Sequence, residues 1–168
     1  MGRLRTVLVG VVGAVSLVIG GGAATSAHET QSILEFHSMK PVMGAAVGTV
    51  NSRGIVGGGL PWVITSGSGE LDRIGTLHIW VTGLVSPVPP FNGTNPVTQF
   101  GAIVSCQTPQ GVVNVSTPTA PANAMGDSII NAKVSLPHPC KHPIVFVTSP
   151  GGAWFAMSRG DADEEEGD

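Results

Sequence analysis

The chain has 168 residues, 24 of them Gly and 13 Pro, with two Cys, no Tyr and eight aromatic side chains, 3 Trp and 5 Phe. Of its 8 basic and 11 acidic residues, Arg3 and Arg5 stand near the N-terminus and six acids lie between Asp161 and Asp168, so the body is close to neutral. That leaves no clustered Lys and Arg to neutralise phosphates, which excludes nucleic acid as a partner, and short apolar runs without sustained helical periodicity exclude a helical fold.

Arg3 and Arg5 precede an uncharged apolar run from Thr6 to about Gly22, which passes into Ala23-Ala24-Thr25-Ser26-Ala27. This is the pattern of a secretory signal peptide over residues 1–27, and the small residues Thr25 and Ala27 place cleavage before His28. An uncleaved anchor is the rival reading, but the run is rich in Gly and ends in a cleavable pattern. No later stretch approaches ~18 apolar residues. The expectation is one exported domain over residues 28–159, with no membrane association after cleavage. The like-charged tail over 160–168 is expected to be disordered.

Ser32 to Met39 reads as a first strand. Lys40 to Leu60 is mostly Gly, Val, Ala and Pro and reads as a loop with at most one short strand. Its Gly57-Gly58-Gly59 is no phosphate cradle, because no Lys-Ser or Lys-Thr follows at the required spacing and no helix opens there. Leu60 to Ile64 and Gly69 to Leu71 read as two strands joined by a short turn. Thr76 to Leu84 is the clearest strand, with Leu77, Ile79 and Val81 on one face and Thr76, His78, Trp80 and Thr82 on the other. His78 beside an outward Trp80 reads as sheet surface rather than a ligand-binding pair.

Ser86 to Pro96 carries four prolines and reads as a long irregular connection. Its Phe91 has no evident core role, which makes this the expected interaction loop. Val97 to Gln107 sets Phe100, Ala102, Val104 and Cys106 on one face, and Gly111 to Thr117 sets Val113 and Val115 opposite Asn114 and Ser116. Asp127 to Leu136 alternates Ile130, Ala132, Val134 and Leu136 with Ile129, Asn131, Lys133 and Ser135. Ile144 to Val147 and Ala153 to Met157 are apolar on both parities around Pro150-Gly151-Gly152, a hairpin buried on both faces at the centre of the fold. Seven or eight short strands with turns between them predict an all-β fold, an antiparallel two-sheet β-sandwich.

Cys106 and Cys140 are an even pair in an exported chain and read as a disulfide. The rival is a metal site of His138, Cys140 and His142, spaced two apart on one face of an extended strand, which requires a free Cys140 thiolate. Pro137, Pro139 and Pro143 interrupt that strand, and Cys106 competes for the sulfur.

The stretches GGGLPWVI (Gly57 to Ile64), GELD (Gly69 to Asp72), VSC (Val104 to Cys106), LPHPC (Leu136 to Cys140) and PIVFVTSPGGAWFA (Pro143 to Ala156) together resemble a group of small secreted bacterial proteins of unassigned function. That resemblance implies one secreted domain with Cys106 and Cys140 paired; it implies no activity, ligand or catalytic residue. GELDRIGTLHIWVTGL (Gly69 to Leu84) is also similar to a stretch of the chordin-like (CHRD) β-domains.

Catalytic motifs are missing. In SGSGE, Ser66 stands where a nucleophile elbow needs Gly, and no HExxH occurs. The body acids Glu29, Glu35, Glu70, Asp72 and Asp127 form no pattern that singles out a glycosidase pair. Eight aromatics without Tyr are a thin supply for a sugar platform, and the tail acids lack the Gly-punctuated spacing of a Ca²⁺ loop. One alternative rests on the predicted cleavage. A mature His28 offers an α-amine and an imidazole from one residue, the copper chelate of lytic polysaccharide monooxygenases and some periplasmic copper carriers. His37, His78, His138 or His142 would supply the second imidazole. The sequence therefore predicts a secreted, non-catalytic module without a cofactor, whose partner is a protein or surface ligand, with the copper-binding protein as the alternative.

Overall fold

The computed structural model describes residue 2 and residues 31–159. Apart from Gly2, the leader read over 1–27 and the tail read over 160–168 lie outside the described residues. In chain order the strands are β1 (Ser32–Phe36), β2 (Met39–Pro41), β3 (Ser66–Asp72), β4 (Thr76–Thr82), β5 (Gln99–Thr108), β6 (Gly111–Ser116), β7 (Ala120–Pro121), β8 (Ser128–Lys133), β9 (Lys141–Thr148) and β10 (Trp154–Ser158). They pair antiparallel in two sheets: β1-β3-β4-β8, and β2-β10-β9-β5-β6 with β7 added on β5. The all-β, two-sheet expectation holds. The strand count reaches ten with β2, of which only Met39 lies within the first predicted strand, and with the two-residue β7, both too short to show a period of their own.

Alternation in the sequence becomes alternation in burial. Leu71, Leu77, Ile79, Val81 and Ile130 of the smaller sheet face Phe100, Ala102, Val104, Val145 and Val147 of the larger one, and all are buried. Trp62 closes this core, stacked on Phe155 at 3.9 Å between ring centroids and set edge-on to Phe100 at 6.4 Å.

Two local expectations are corrected. Ser66 to Ser68 is not a turn but the start of β3. Gly67 and Gly69 face inward there; a Cβ on Gly67 would meet the Met39 side chain at 2.6 Å, and one on Gly69 the Phe36 ring at 2.7 Å and also the His78 carbonyl oxygen, so the glycines make room for core side chains. Leu60 to Ile64, expected as a strand, contributes only an isolated bridge between Val63 and Val85. Pro61 supplies no N–H there, and Trp62 instead donates to the Val42 carbonyl at 2.9 Å while its ring turns inward. β6 is an exposed edge, with Val112 and Val113 both open to solvent.

The hairpin expected at the centre is there. β9 lies between β10 and β5, and Val145, Phe146, Val147 and Thr148 are all buried. Of the two turn glycines only Gly152 uses the left-handed region, at φ 87°, where Gly152 N–H donates to the Ser149 carbonyl. A bulge in β10 shifts register between Trp154 and Ala156, so Trp154 pairs with Thr148 while Met157 pairs with Phe146. Trp154 and Met157 thereby share the outer face and Phe155 turns to the core.

What covers that outer face is the segment 42–58. Val42 N–H donates to the Phe155 carbonyl, Gly58 N–H to that of Trp154, and Trp154 N–H to that of Val56. Asn114 Nδ2 donates to the Arg53 carbonyl, and the Arg53 guanidinium donates to the His142 carbonyl, each at 2.8 Å. The predicted loop is therefore a third layer, with its own Ile55 buried, over the outward Phe146 and Ile103 of the larger sheet, which are buried as well. The disulfide between Cys106 and Cys140, 34 residues apart, ties the end of β5 to the entry of β9.

Candidate functional site

Among the described residues no segment covers the outer face of the smaller sheet in this way. Along β4, His78 and Trp80 point away from the core. The register sets Ser68, Trp80 and Ile129 in one cross-strand row, and Glu35, Glu70, His78 and Asn131 in the next. Trp80 is 47 % exposed and Ile129 57 %. Two large apolar side chains thus stand directly opposite each other in solvent, against the usual outward preference of a half-buried sheet for polar groups. Beside them His78 Nδ1–H donates to Asn131 Oδ1 at 2.7 Å, and its ring lies 24° from the Trp80 plane at 6.2 Å. A shallow concavity of about 350 Å³ continues this face, lined by Ser32, Glu70, Asp72, Ile74, Thr76 and His78.

Both ends of β4 are held by carboxylates. Asp72 accepts from the Thr76 N–H at 2.7 Å. Desolvation pushes its pKa up, but hydrogen bonds from Thr76 and Ile74 and the charge of Lys133 outweigh this and hold it below the ordinary value. Asp127 lies below its ordinary value as well, because Asn123 Nδ2 and the Gly83 N–H both donate to its charged form. Folded values below the unfolded ones mean that this stabilisation is complete above the ordinary Asp value of 3.8 and is lost as pH falls through the folded values. Melting curves between pH 6 and pH 2 should therefore show a smaller acid loss for Asp72→Asn with Asp127→Asn than for the wild type. An unchanged acid slope would show that neither carboxylate is linked to folding.

Among the described residues, those singled out in the sequence do not converge. His28 lies outside the described residues. His37 is exposed, 3.8 Å from Glu35. His78 is engaged by Asn131. His138 is exposed before a cis Pro139, and His142, at φ 45°, gives its carbonyl to Arg53. The disulfide consumes the Cys140 sulfur, so the site of His138, Cys140 and His142 has no thiolate to offer. Among the described residues no three His, Cys, Asp or Glu side chains come together in a way that could hold a metal ion. Phe91, in the loop read as the interaction loop, is half-buried and fixed by hydrogen bonds to Val88 and Thr94.

The sequence set Trp80 and Ile129 on outward parities of two separate strands. It carried no sign that these strands are neighbours, and the patch appears only when β4 pairs with β8. Among the described residues no helix is long and apolar enough to cross a membrane. No protein-family model matches the chain, and comparison with curated proteins and with solved structures finds none that matches.

Proposed function

We propose that the chain is an exported, non-catalytic β-sandwich module that binds a partner protein through the outer face of the four-stranded sheet. The observation that carries this reading is the exposed pair Trp80 and Ile129, directly opposite each other on the inner strand β4 and the edge strand β8, with the hydrogen-bonding side chains of Ser68, Glu70, His78 and Asn131 beside them. An indole with adjacent aliphatic surface and a polar surround is the composition of an interface hot spot. Export is supported by the leader pattern in residues 1–27 and by the disulfide, which persists in oxidising compartments.

Trp62 and Trp154 are 2 % and 4 % exposed, so Trp80 is the indole that a soluble quencher reaches. Binding of the purified protein to intact envelopes of the source cells should shield that fluorescence from acrylamide. Trp80→Ala combined with Ile129→Ser should weaken the binding at least about tenfold, with thermal stability altered little because both side chains are exposed. Equal binding by this variant, or no binding by the wild type, would reject the reading.

A further inference from the structure

Four strands stand at the ends of the two sheets: β1 and β8 in the smaller one, β2 and β6 in the larger. An open edge presents a row of unpaired N–H and C=O groups, and proteins that stay apart blunt it with charge, proline or a bulge. Three of the four are blunted in this way. β1 has a bulge between Ser32 and Leu34 and carries Glu35, β2 has Lys40 and Pro41, and β8 ends on Lys133. The two-residue β7, also at an edge, contains Pro121. β6 has none of these devices. Its sequence is GVVNVS, and it keeps unbroken register with β5 from Gly111 opposite Thr108 to Ser116 opposite Ile103. Both of its parities are open to solvent, with Val112 43 % and Val113 36 % exposed. No Asp, Glu, Lys or Arg occurs from Ile74 to Gly126, and the guanidinium of Arg53, whose carbonyl meets Asn114, is turned inward to His142 and Ser105.

The backbone of β6 fixes what can complete it. Thr117 N–H donates to the Ala102 carbonyl in the same register, so Gly111, Val113 and Val115 bond to β5 while the N–H and C=O groups of Val112, Asn114 and Ser116 point outward. Among the described residues no other strand pairs with them. An antiparallel ladder can be completed by a copy of the same strand turned about a two-fold axis perpendicular to the sheet, which sets residues of the same parity opposite each other. With that axis at Asn114, Val112 opposes Ser116 of the second copy and every outward group is paired, about six hydrogen bonds in all. On the core side Val113 then opposes Val115 of the second copy, a β-branched cross-strand pair next to the point where Val115 packs against its own core. Charge selects this edge over the others. A two-fold contact through β1, β2 or β8 would bring Glu35, Lys40 or Lys133 toward its own copy, whereas neutral β6 meets its copy without repulsion. We propose that β6 is a self-association edge through which two copies of this chain join antiparallel and merge their larger sheets. The contact is one strand wide, at the low end of interface size, so the association is weak and reversible. It is separate from the Trp80 face and stands or falls independently of it.

Sedimentation equilibrium of the purified protein should show the mass rising from one chain toward two between about 10 µM and 1 mM, the range for a contact of this size. Over the same range the amides of Val112, Asn114 and Ser116 should slow in hydrogen exchange, while those of Ile129 and Asn131 on the β8 edge should not. Val112→Pro removes one outward N–H and leaves the bonds to β5 in place, and Val113→Lys supplies the missing charge. Both positions are exposed, so the fold is kept. Each variant should weaken association at least about tenfold. A constant mass of one chain up to about 1 mM, association with unchanged β6 amides, or undiminished association of either variant would overturn the proposal.

Discussion

Phe146→Ala should destabilise the domain by about 3 to 5 kcal/mol, the range for emptying a buried aromatic site. The ring is 1 % exposed, packs edge-on against Trp154 at 5.9 Å, and is roofed by the segment 42–58, so the surroundings have little freedom to collapse into the space. Val145→Ala, one residue away, should cost about 2 kcal/mol although it points the other way, into the core between the sheets. The pair tests whether β9 is covered on both faces. If β9 were half-exposed, one of the two changes would fall within about 0.5 kcal/mol, as surface substitutions do. Lys133→Ala, on the exposed edge of β8, is the control and should stay in that range. Urea melts of the three variants decide the matter, and a silent change at either Val145 or Phe146 would remove the hairpin from the centre of the fold.

Replacing Cys106 and Cys140 together by Ser should lower stability by roughly 3 to 4 kcal/mol, the chain-entropy value for a loop of this length. The bridge spans 34 residues and both ends abut strands of the larger sheet, so without it the unfolded chain gains freedom while the native contacts of β5 and β9 stay in place. Thiol titration of the unfolded, unreduced wild type should find no reactive sulfhydryl. Two thiols per chain would overturn the pairing and return the Cys140 sulfur to His138 and His142.

Elements whose signal is carried by chain neighbours were legible in advance. The strict alternation of Thr76 to Thr82 and of Ser128 to Lys133 named their inner faces correctly, because a period of two needs no partner strand to be read. The run Ile144 to Val147, apolar on both parities, announced a strand covered twice. The pairing of Cys106 with Cys140 followed from an even count behind a leader-like segment, a segment that itself lies outside the described residues.

The start of β3 shows where that legibility ends, since Ser66-Gly67-Ser68-Gly69 has the composition of a turn, and only the arrival of Phe36 and Met39 from other strands makes the missing side chains an advantage. The 42–58 segment likewise reads as loop because its order comes from hydrogen bonds to β10, β9 and β6, not from any periodicity of its own. The candidate site is of this second kind. Trp80 and Ile129 become a patch only through the β4–β8 register. The sequence by itself determined the class of fold, its central strand and its covalent tie, because these rest on local period and residue type. The tertiary structure alone decided which outward side chains became neighbours, because cross-strand register and loop docking join segments whose spacing in the chain carries no trace of their contact.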